Sequence, residues 1–356
     1  MSINDFVQQS KNHLLLDVRS PGEYNHAHIP EAISLPLFTD EERKIVGTTY
    51  KQQSREQAIK IGLDMFGPKM RKMVEEVESR LEVRGTKYEE ARVVFIYCWR
   101  GGMRSAAVAW LLDLYGFKLC TLAGGYKAFR NHVLQTFEQP FQFKIIGGYT
   151  GSGKTEVLHE LEKNGEPTVD LEEIACHKGS AFGSFKMPPQ PTQEMFENLL
   201  SCKLQAVQQK TNDPGLVGEG NGFIWIEDES QRIGNLNIPS ALWETMRTSP
   251  LIFLEIPFEE RLQHLMEEYG TWDREKLAAS VQRISKRLGP METKHTLEFL
   301  EQGNYKEAFR ILLQYYDKRY LKGLHNREQL LTLLTKLNCE TVTPANAQVL
   351  TKYQPA

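Results

Sequence analysis

Residues 143–155 read FKIIGGYTGSGKT, in which a short apolar run leads directly into a glycine-rich loop that ends in lysine and threonine. The apolar run is typical of a buried strand, and the following EVLHEL segment is typical of a helix. In this arrangement glycines let the backbone wrap around phosphate oxygens, Lys154 reaches terminal oxygens, and Thr155 can bind Mg²⁺. The pattern predicts a phosphate-binding loop formed by Gly148, Thr150, Gly151, Ser152, Gly153, Lys154 and Thr155.

A second loop with the properties of an anion site lies at 98–105, CWRGGMRS. The β-branched and aromatic residues at 93–97 predict a strand, and the residues from 105 onward predict a helix, so Cys98 ends the strand. Backbone amides in a glycine-containing loop that opens a helix stabilise an anion and lower the pKa of a nearby thiol. The loop therefore predicts a site for anionic sulfur or selenium groups, with Cys98, Arg100 and Arg104 as its catalytic residues.

Other short motifs surround this cysteine loop. Residues 14–19, LLLDVR, predict a buried strand that ends at the SPG turn, and residues 32–36 predict a second short strand. Together with the HIP turn at 28–30 and the Cys98-to-Arg104 spacing, they resemble the rhodanese domain, a sulfur-carrier fold. That resemblance implies that Cys98 is the active-site cysteine. Residues 39–90 are amphipathic and charged, which predicts an inserted helical segment whose main role is packing.

The domain boundary is expected near residue 138, because Gln139 and Pro140 interrupt the pattern before the next strand begins. The predicted fold class is α/β, with a rhodanese-like domain at 1–138 followed by a P-loop NTPase-like domain at 139–270. Residues 271–356 are predicted to form a mainly helical C-terminal region, which is a candidate for RNA contact.

Acidic residues follow another predicted strand in the second domain, at 223–230, FIWIEDES. The end of such a strand is where a carboxylate approaches the Mg²⁺ or the diphosphate of a phosphate loop. Glu227 and Asp228 are the candidates. The alternative, that they are ordinary acids capping the next helix, stays open at this point.

Basic side chains with neighbouring aromatics in the C-terminal region suit RNA phosphates and unstacked bases. A solvated helical face explains the same residues equally well. The RNA-binding candidates are Arg283, Lys286, Arg287, Lys318, Arg319 and Tyr315.

The bulk properties exclude several classes of protein. The 356 residues carry a formal net charge of −3, so no global basic field attracts nucleic acid, and the five cysteines form no C-x-x-C pair. No apolar run has the length of a membrane span, and the N-terminal residues lack the pattern of a signal peptide. These properties predict a cytoplasmic protein with no membrane association and no disulfide framework.

The two loops, in this order on one chain, resemble those of the tRNA 2-selenouridine synthase family. Two further segments are similar to that family, HKGSAFG at 177–183 and IEDESQRIG at 226–234. The resemblance implies conversion of 2-thiouridine at the wobble position, U34, of tRNAs for Lys, Glu and Gln to 2-selenouridine. It implies S-geranylation as the intermediate step.

The same resemblance implies selenophosphate and geranyl diphosphate as co-substrates, Mg²⁺ as an optional cofactor, and no bound redox cofactor. The diphosphate is expected in the loop around Lys154, and the selenium is expected at Cys98. A selenophosphate-producing enzyme is a candidate partner. Two other functions stay open: an ATP-dependent kinase or NTPase with a rhodanese sensor, and a non-catalytic sulfur-binding module.

Overall fold

The computed structural model describes residues 3–83, 92–211, 222–269 and 273–351. It divides into two compact units, the first formed by Met1–Thr136 with Glu197–Leu199 and the second by Phe137–Phe196 with Leu200–Ala356. The last residues of the predicted insertion, 84–90, and the predicted boundary at 270/271 lie outside the described residues. Within those ranges no helix is both long and apolar enough to cross a membrane.

The first unit is built on a four-stranded parallel sheet in the order β2-β1-β3-β4. Its strands are β1 (Leu14–Asp17), β2 (Ile33–Ser34), β3 (Val93–Tyr97) and β4 (Lys118–Thr121). Its helices are α1 (Ile3–Ser10), α2 (Pro21–His26), α3 (Asp40–Gln52), α4 (Arg55–Phe66), α5 (Met70–Val83), α6 (Met103–Tyr115) and α7 (Gly125–Thr136), with a 3₁₀ turn at Gly67–Lys69.

The predicted insertion contains α3, α4 and α5, and its apolar side chains join the core of the first sheet. Helix α3 begins with a reciprocal capping box, in which the Thr39 hydroxyl accepts from the Glu42 amide and the Glu42 carboxylate accepts from the Thr39 amide. Phe66 and Val77 pack in one cluster with Ile96 of the central strand β3. The insertion therefore buries apolar area against the sheet that positions Cys98.

The second unit contains a five-stranded parallel sheet in the order β11-β10-β5-β7-β6 and a small antiparallel pair, β8-β9. Its strands are β5 (Phe143–Gly148), β6 (Thr168–Val169), β7 (Ile224–Glu227), β8 (Arg232–Ile233), β9 (Leu236–Asn237), β10 (Leu251–Glu255) and β11 (Leu334–Asn338). Its helices are α8 (Lys154–Lys163), α9 (Leu171–Ala175), α10 (Gln193–Thr211), α11 (Ser240–Arg247), α12 (Phe258–Tyr269), α13 (Arg274–Leu288), α14 (Pro290–Glu301), α15 (Tyr305–His325), α16 (Leu330–Leu333) and α17 (Ala347–Thr351), with a 3₁₀ turn at Pro344–Asn346.

The parallel sheets with flanking helices confirm the predicted α/β class. Helices α12 to α15 share their own apolar cluster, which includes Leu277, Val281 and Leu312. The C-terminal region is not helical throughout, because β11 pairs in parallel with β10 and extends the second sheet. Burial of the central strands on both faces explains why β5 and β10 consist mainly of apolar residues and glycine, apart from Lys144 in β5 and Glu255 at the end of β10.

Candidate functional sites

The phosphate loop connects the end of β5 to the start of α8, as the sequence predicts. Gly151 and Gly153 have φ angles of +77° and +71°, a region that favours glycine. The Lys154 Nζ donates to the Gly148 carbonyl at 3.2 Å, so its amine lies over the loop. The Ser152 hydroxyl is buried and has no hydrogen-bond partner in the described part of the chain. The loop therefore has the glycine-dependent backbone of a phosphate-binding loop, with the Ser152 hydroxyl as an unpaired side-chain donor.

Two residues from distant helices hold this loop in place. The Tyr320 hydroxyl of α15 accepts from the Gly148 amide at 3.2 Å and donates to the Asp228 carboxylate at 2.6 Å. The Arg261 guanidinium of α12 donates to the Thr150 carbonyl at 3.1 Å and is anchored by two hydrogen bonds to Asp317. The loop backbone is thus fixed at its start and at its middle.

Three carboxylates meet beside the loop. Glu172 of α9, Glu227 at the end of β7 and Glu229 just after it each place one oxygen within 4.8 Å of the other two. The Thr155 hydroxyl donates to Glu172 at 3.5 Å. Burial is the largest cause of a raised pKa in all three glutamates, and repulsion by the neighbouring carboxylates is the second. The pKa of Glu172 rises to about 9 and that of Glu229 to about 8, and the pKa of Glu227 rises well above its usual value.

The structure distinguishes the two acids that the sequence left as alternatives. Glu227 is fully buried among the other two glutamates, whereas Asp228 accepts from Tyr320 and forms an ion pair with Arg327 at 2.7 Å. Successive residues of a strand point to opposite faces, so only one of the pair can face the loop. Glu227 is therefore the acid that lies beside the predicted phosphate site. Asp228 instead binds Tyr320 of α15 and Arg327.

Sequence reasoning did not assign Glu172 and Glu229. The available signal was that acids follow two strands, β6 and β7, which are neighbours in the sheet. Side chains at the carboxyl ends of neighbouring parallel strands share one edge of the sheet, where ligands bind. That neighbour relation depends on the strand order and on β6, which is only two residues long.

The cysteine loop lies at the carboxyl end of β3 in the first unit. Cys98 is buried, and its Sγ lies 3.2 Å from the Ser105 hydroxyl. Burial raises the pKa of the thiol, but hydrogen bonds from the Ser105 hydroxyl and amide, and from the amides of Arg100 and Gly102, outweigh it and lower the pKa below its ordinary value. The loop thus lowers the pKa of the Cys98 thiol, as the sequence predicts.

The two arginines of the cysteine loop differ in their surroundings. Arg104 forms an ion pair with Glu23 at 2.7 Å. Burial alone would raise the pKa of Glu23, but the contact with Arg104 outweighs it and lowers that pKa to about 2. Arg100 lies exposed in the loop. Part of the positive charge of Arg104 is therefore neutralised within the protein, and Arg100 presents its charge to solvent.

A buried ion pair lies at the end of β1, beside the turn that follows α2. Arg19 bonds to Asp17, donates to the Ala27 carbonyl at 2.7 Å, and lies 3.8 Å above the Tyr126 ring. Because neither charge is exposed, the pair must stay together to avoid an unpaired buried charge. Asp17 and Arg19, which belong to the LLLDVR motif at 14–19, thus have a structural role in holding the turn at 27–30.

The predicted tRNA-binding residues lie on two helices of the second unit. Arg283, Lys286 and Arg287 are exposed on α13, and Lys318 and Arg319 are exposed on α15. The Arg319 guanidinium lies 5.7 Å from the Tyr315 ring centre and donates to its hydroxyl. These residues present positive charge and an aromatic ring to solvent, and RNA binding stays a prediction.

Comparison with known proteins identifies the family. A model described as the tRNA 2-selenouridine synthase AAA domain matches residues 141–348, and the rhodanese-like domain model matches residues 3–132. The chain is 31% identical to a tRNA 2-selenouridine synthase of Nitrosomonas europaea, over 88% of this chain and 89% of that protein. It is 35% identical to a tRNA 2-selenouridine synthase of Hydrogenovibrio crunogenus, over 87% of this chain and 89% of that protein. It is 34% identical to one from a Sulfurovum species, over 86% of this chain and 87% of that protein. The chain belongs to the tRNA 2-selenouridine synthase family.

Proposed function

We propose that this chain converts 2-thiouridine at the wobble position of tRNAs for Lys, Glu and Gln to 2-selenouridine. Geranyl diphosphate and selenophosphate are the co-substrates. The observation that carries the proposal is the presence, in one family-matched chain, of two anion sites with different chemistry. One is the amide-lined thiol of Cys98, and the other is the phosphate loop with Lys154.

The first step belongs to the phosphate loop. The C2 sulfur of the base attacks C1 of geranyl diphosphate, a C–S bond forms, the C–O bond breaks, and diphosphate leaves with the bonding electrons while the base loses its N3 proton. Lys154 and the loop amides stabilise the charge on the departing diphosphate. Mg²⁺, when bound, would neutralise part of the same charge.

The second step belongs to the cysteine loop. The selenium of selenophosphate adds to C2, the C–S bond breaks, and geranylthiol leaves with a proton. Water then cleaves the Se–P bond, which gives phosphate and the 2-seleno base. The amides around Cys98, with Arg100 and Arg104, hold the anionic selenium donor, and the Cys98 thiol guides its selenium toward C2. Alkylation assists because a thiol leaves more readily than an unmodified thiocarbonyl sulfur.

The tRNA is proposed to bind through the basic residues of α13 and α15 described above. An RNA substrate and a selenophosphate donor fit action in the cytoplasm, with a selenophosphate-producing enzyme as the supplying partner. Lys318→Glu is expected to weaken tRNA binding and make it less sensitive to salt, because each phosphate contact contributes to counterion release. Lys163→Glu, on the exposed side of α8, is the matched control.

Nucleoside mass spectrometry on 2-thiouridine tRNA tests the proposal. Geranyl diphosphate and selenophosphate are added to the purified protein separately and together. Geranylated uridine with the first alone, and selenouridine with both, are the expected products. An unchanged nucleoside together with ATP turnover that Lys154→Ala abolishes would favour the kinase alternative.

A further inference from the structure

Helix α6, which the cysteine loop opens, is apolar on both of its faces. Its inner face buries Val108 and Leu112 in the same cluster as the strands of the first sheet. Its outer face carries Met103, Trp110 and Leu114, which are 50%, 57% and 71% exposed. A surface helix normally has polar side chains on its outer face, and an apolar patch in that position is typical of a binding surface.

The three exposed side chains form one stripe along the helix, called here the α6 stripe. They follow the spacing i, i+7 and i+11, and residues at these intervals lie on the same side of an α-helix. With a rise of about 1.5 Å per residue, the stripe runs about 10 Å from Met103 to Trp110 and continues to Leu114. The same helical spacing places the charged residues Arg104 and Asp113 on opposite flanks. The stripe is therefore long and narrow.

The α6 stripe begins at the cysteine loop. Met103 is the first residue of α6 and directly follows Gly102, whose amide forms a hydrogen bond with the Cys98 sulfur. Trp99, the residue after Cys98, is 38% exposed, and its ring lies 5.7 Å from that of Tyr126. Exposed apolar side chains thus adjoin the thiol loop, and a ligand held at Cys98 can extend onto the stripe.

The dimensions of the α6 stripe distinguish between possible occupants. A stable protein interface buries roughly 800 Å² on each partner, which three partly exposed side chains cannot supply. An extended geranyl chain is comparable in length with the separation of about 10 Å between Met103 and Trp110. Such a chain contains only carbon and hydrogen, so it needs no polar partner on the stripe. The best fit is therefore a short hydrocarbon chain.

We infer that the α6 stripe binds the geranyl chain of the S-geranylated base while C2 of that base faces the cysteine loop. The inference rests on the proposed function, in which selenium replaces a geranylated sulfur at this loop. Burial of the chain against the stripe holds the leaving sulfur beside the anionic selenium donor. The stripe also favours the alkylated base over the unmodified 2-thio base, which has no chain to bury.

The first test is titration calorimetry of the full-length protein with two nucleosides, S-geranyl-2-thiouridine and S-methyl-2-thiouridine. The wild type is expected to bind the geranyl nucleoside at least about tenfold more tightly, because only that ligand has a long chain to bury. Trp110→Ser and Leu114→Ser should each weaken geranyl binding about threefold to tenfold and leave methyl binding unchanged. Leu63→Ser makes the same change at a leucine that is 57% exposed on α4, and this matched control should keep the wild-type affinity.

The second test is selenation of tRNA that is supplied already geranylated. Trp110→Ser and Leu114→Ser should raise KM several-fold and change kcat little, since the stripe contacts the chain and not the reacting atoms. Geranylation of 2-thiouridine tRNA, which is assigned to the phosphate loop, should keep its wild-type rate in both variants. Urea unfolding should show the stability of Leu63→Ser in both variants, because all three replaced side chains are largely exposed.

The outcomes separate the inference from the proposed function. A wild type that makes no selenouridine, but prefers the geranyl nucleoside in a manner that depends on Trp110 and Leu114, would refute the function and support the inference. Equal affinity of the wild type for both nucleosides, or wild-type geranyl affinity in both stripe variants, would overturn the inference. Sedimentation velocity tests for a second copy of this chain as the occupant. A dimer that Leu114→Ser dissociates, with unchanged geranyl binding, would also overturn it.

Discussion

The hydroxyl of Tyr320 offers the sharpest test of how the phosphate loop is held. It accepts from the Gly148 amide at 3.2 Å and donates to Asp228 at 2.6 Å, and Tyr320→Phe removes both bonds with little change of shape. A hydrogen bond to a charged group contributes about 1.5–3 kcal/mol and a neutral one about 0.5–1.5 kcal/mol. Because Asp228 keeps its ion pair with Arg327, we expect the free energy of unfolding to fall by about 2–3 kcal/mol.

Tyr316→Phe is the matched control on the same helix. Its hydroxyl accepts a single hydrogen bond, from the Ala181 amide at 3.3 Å, and does not contact the phosphate loop. Urea unfolding should show the smaller loss for this variant, about 0.5–1.5 kcal/mol. Titration calorimetry with inorganic diphosphate should show weaker binding only for Tyr320→Phe, since the Gly148 amide loses its anchor. Equal stability and equal diphosphate affinity in the two variants would refute the bracing role of Tyr320.

Two further predictions concern ionisable groups. Ser105→Ala should raise the pKa of the Cys98 thiol, because it removes the side-chain hydrogen bond to the sulfur. A titration of thiolate absorbance against pH should therefore shift to higher pH in Ser105→Ala and stay near the wild type in Ser105→Thr. An unchanged titration in Ser105→Ala would contradict this prediction. The contact between His264 and Glu156 raises the pKa of the histidine and lowers the pKa of the carboxyl group. The stabilisation of the fold by this pair should therefore be full below the ordinary histidine pKa of about 6.5 and be lost as the pH rises through the raised histidine pKa. It should also be lost in strong acid, where the Glu156 carboxylate is protonated. Glu156→Gln should therefore lower the melting temperature more near pH 6 than at pH 9, and a loss that is equal at both would exclude the pair as its cause.

Local features of the sequence were predicted well because local chemistry determines them. The run from Phe143 to Thr155 contains a strand, a loop and a helix start in one continuous segment, and Cys98 follows a strand whose residues all favour sheet. In both cases the functional group is positioned by its immediate neighbours in the chain. Sequence alone could therefore place both loops on their correct elements.

Features that depend on distant parts of the chain were not predictable in the same way. Glu172 approaches Glu227 only because β6 is next to β7 in the sheet, and the order of strands cannot be read from either segment. Tyr320 and Arg261 reach the phosphate loop from helices more than a hundred residues away. The strand β11 was also missed, because its five residues, LTKLN, do not alternate apolar with polar and directly follow a helical segment.

The choice between Glu227 and Asp228 illustrates the limit most clearly. Both acids stand at the end of one strand, and the sequence contains no sign of which face of the sheet each will occupy. The register of β7 against β5, which pairs Ile146 with Glu227, settles the matter. A shift of one residue would exchange the two side chains between the faces.

The most direct test of the central claim, that the two loops perform separate steps, is product analysis with separated substrates. Lys154→Ala should fail to geranylate 2-thiouridine tRNA but should still selenate tRNA that is supplied already geranylated. Cys98→Ser should geranylate normally and fail to selenate either tRNA, with Cys120→Ser as the control thiol. If each variant loses both reactions to the same extent while remaining folded, the assignment of one step to each loop is wrong.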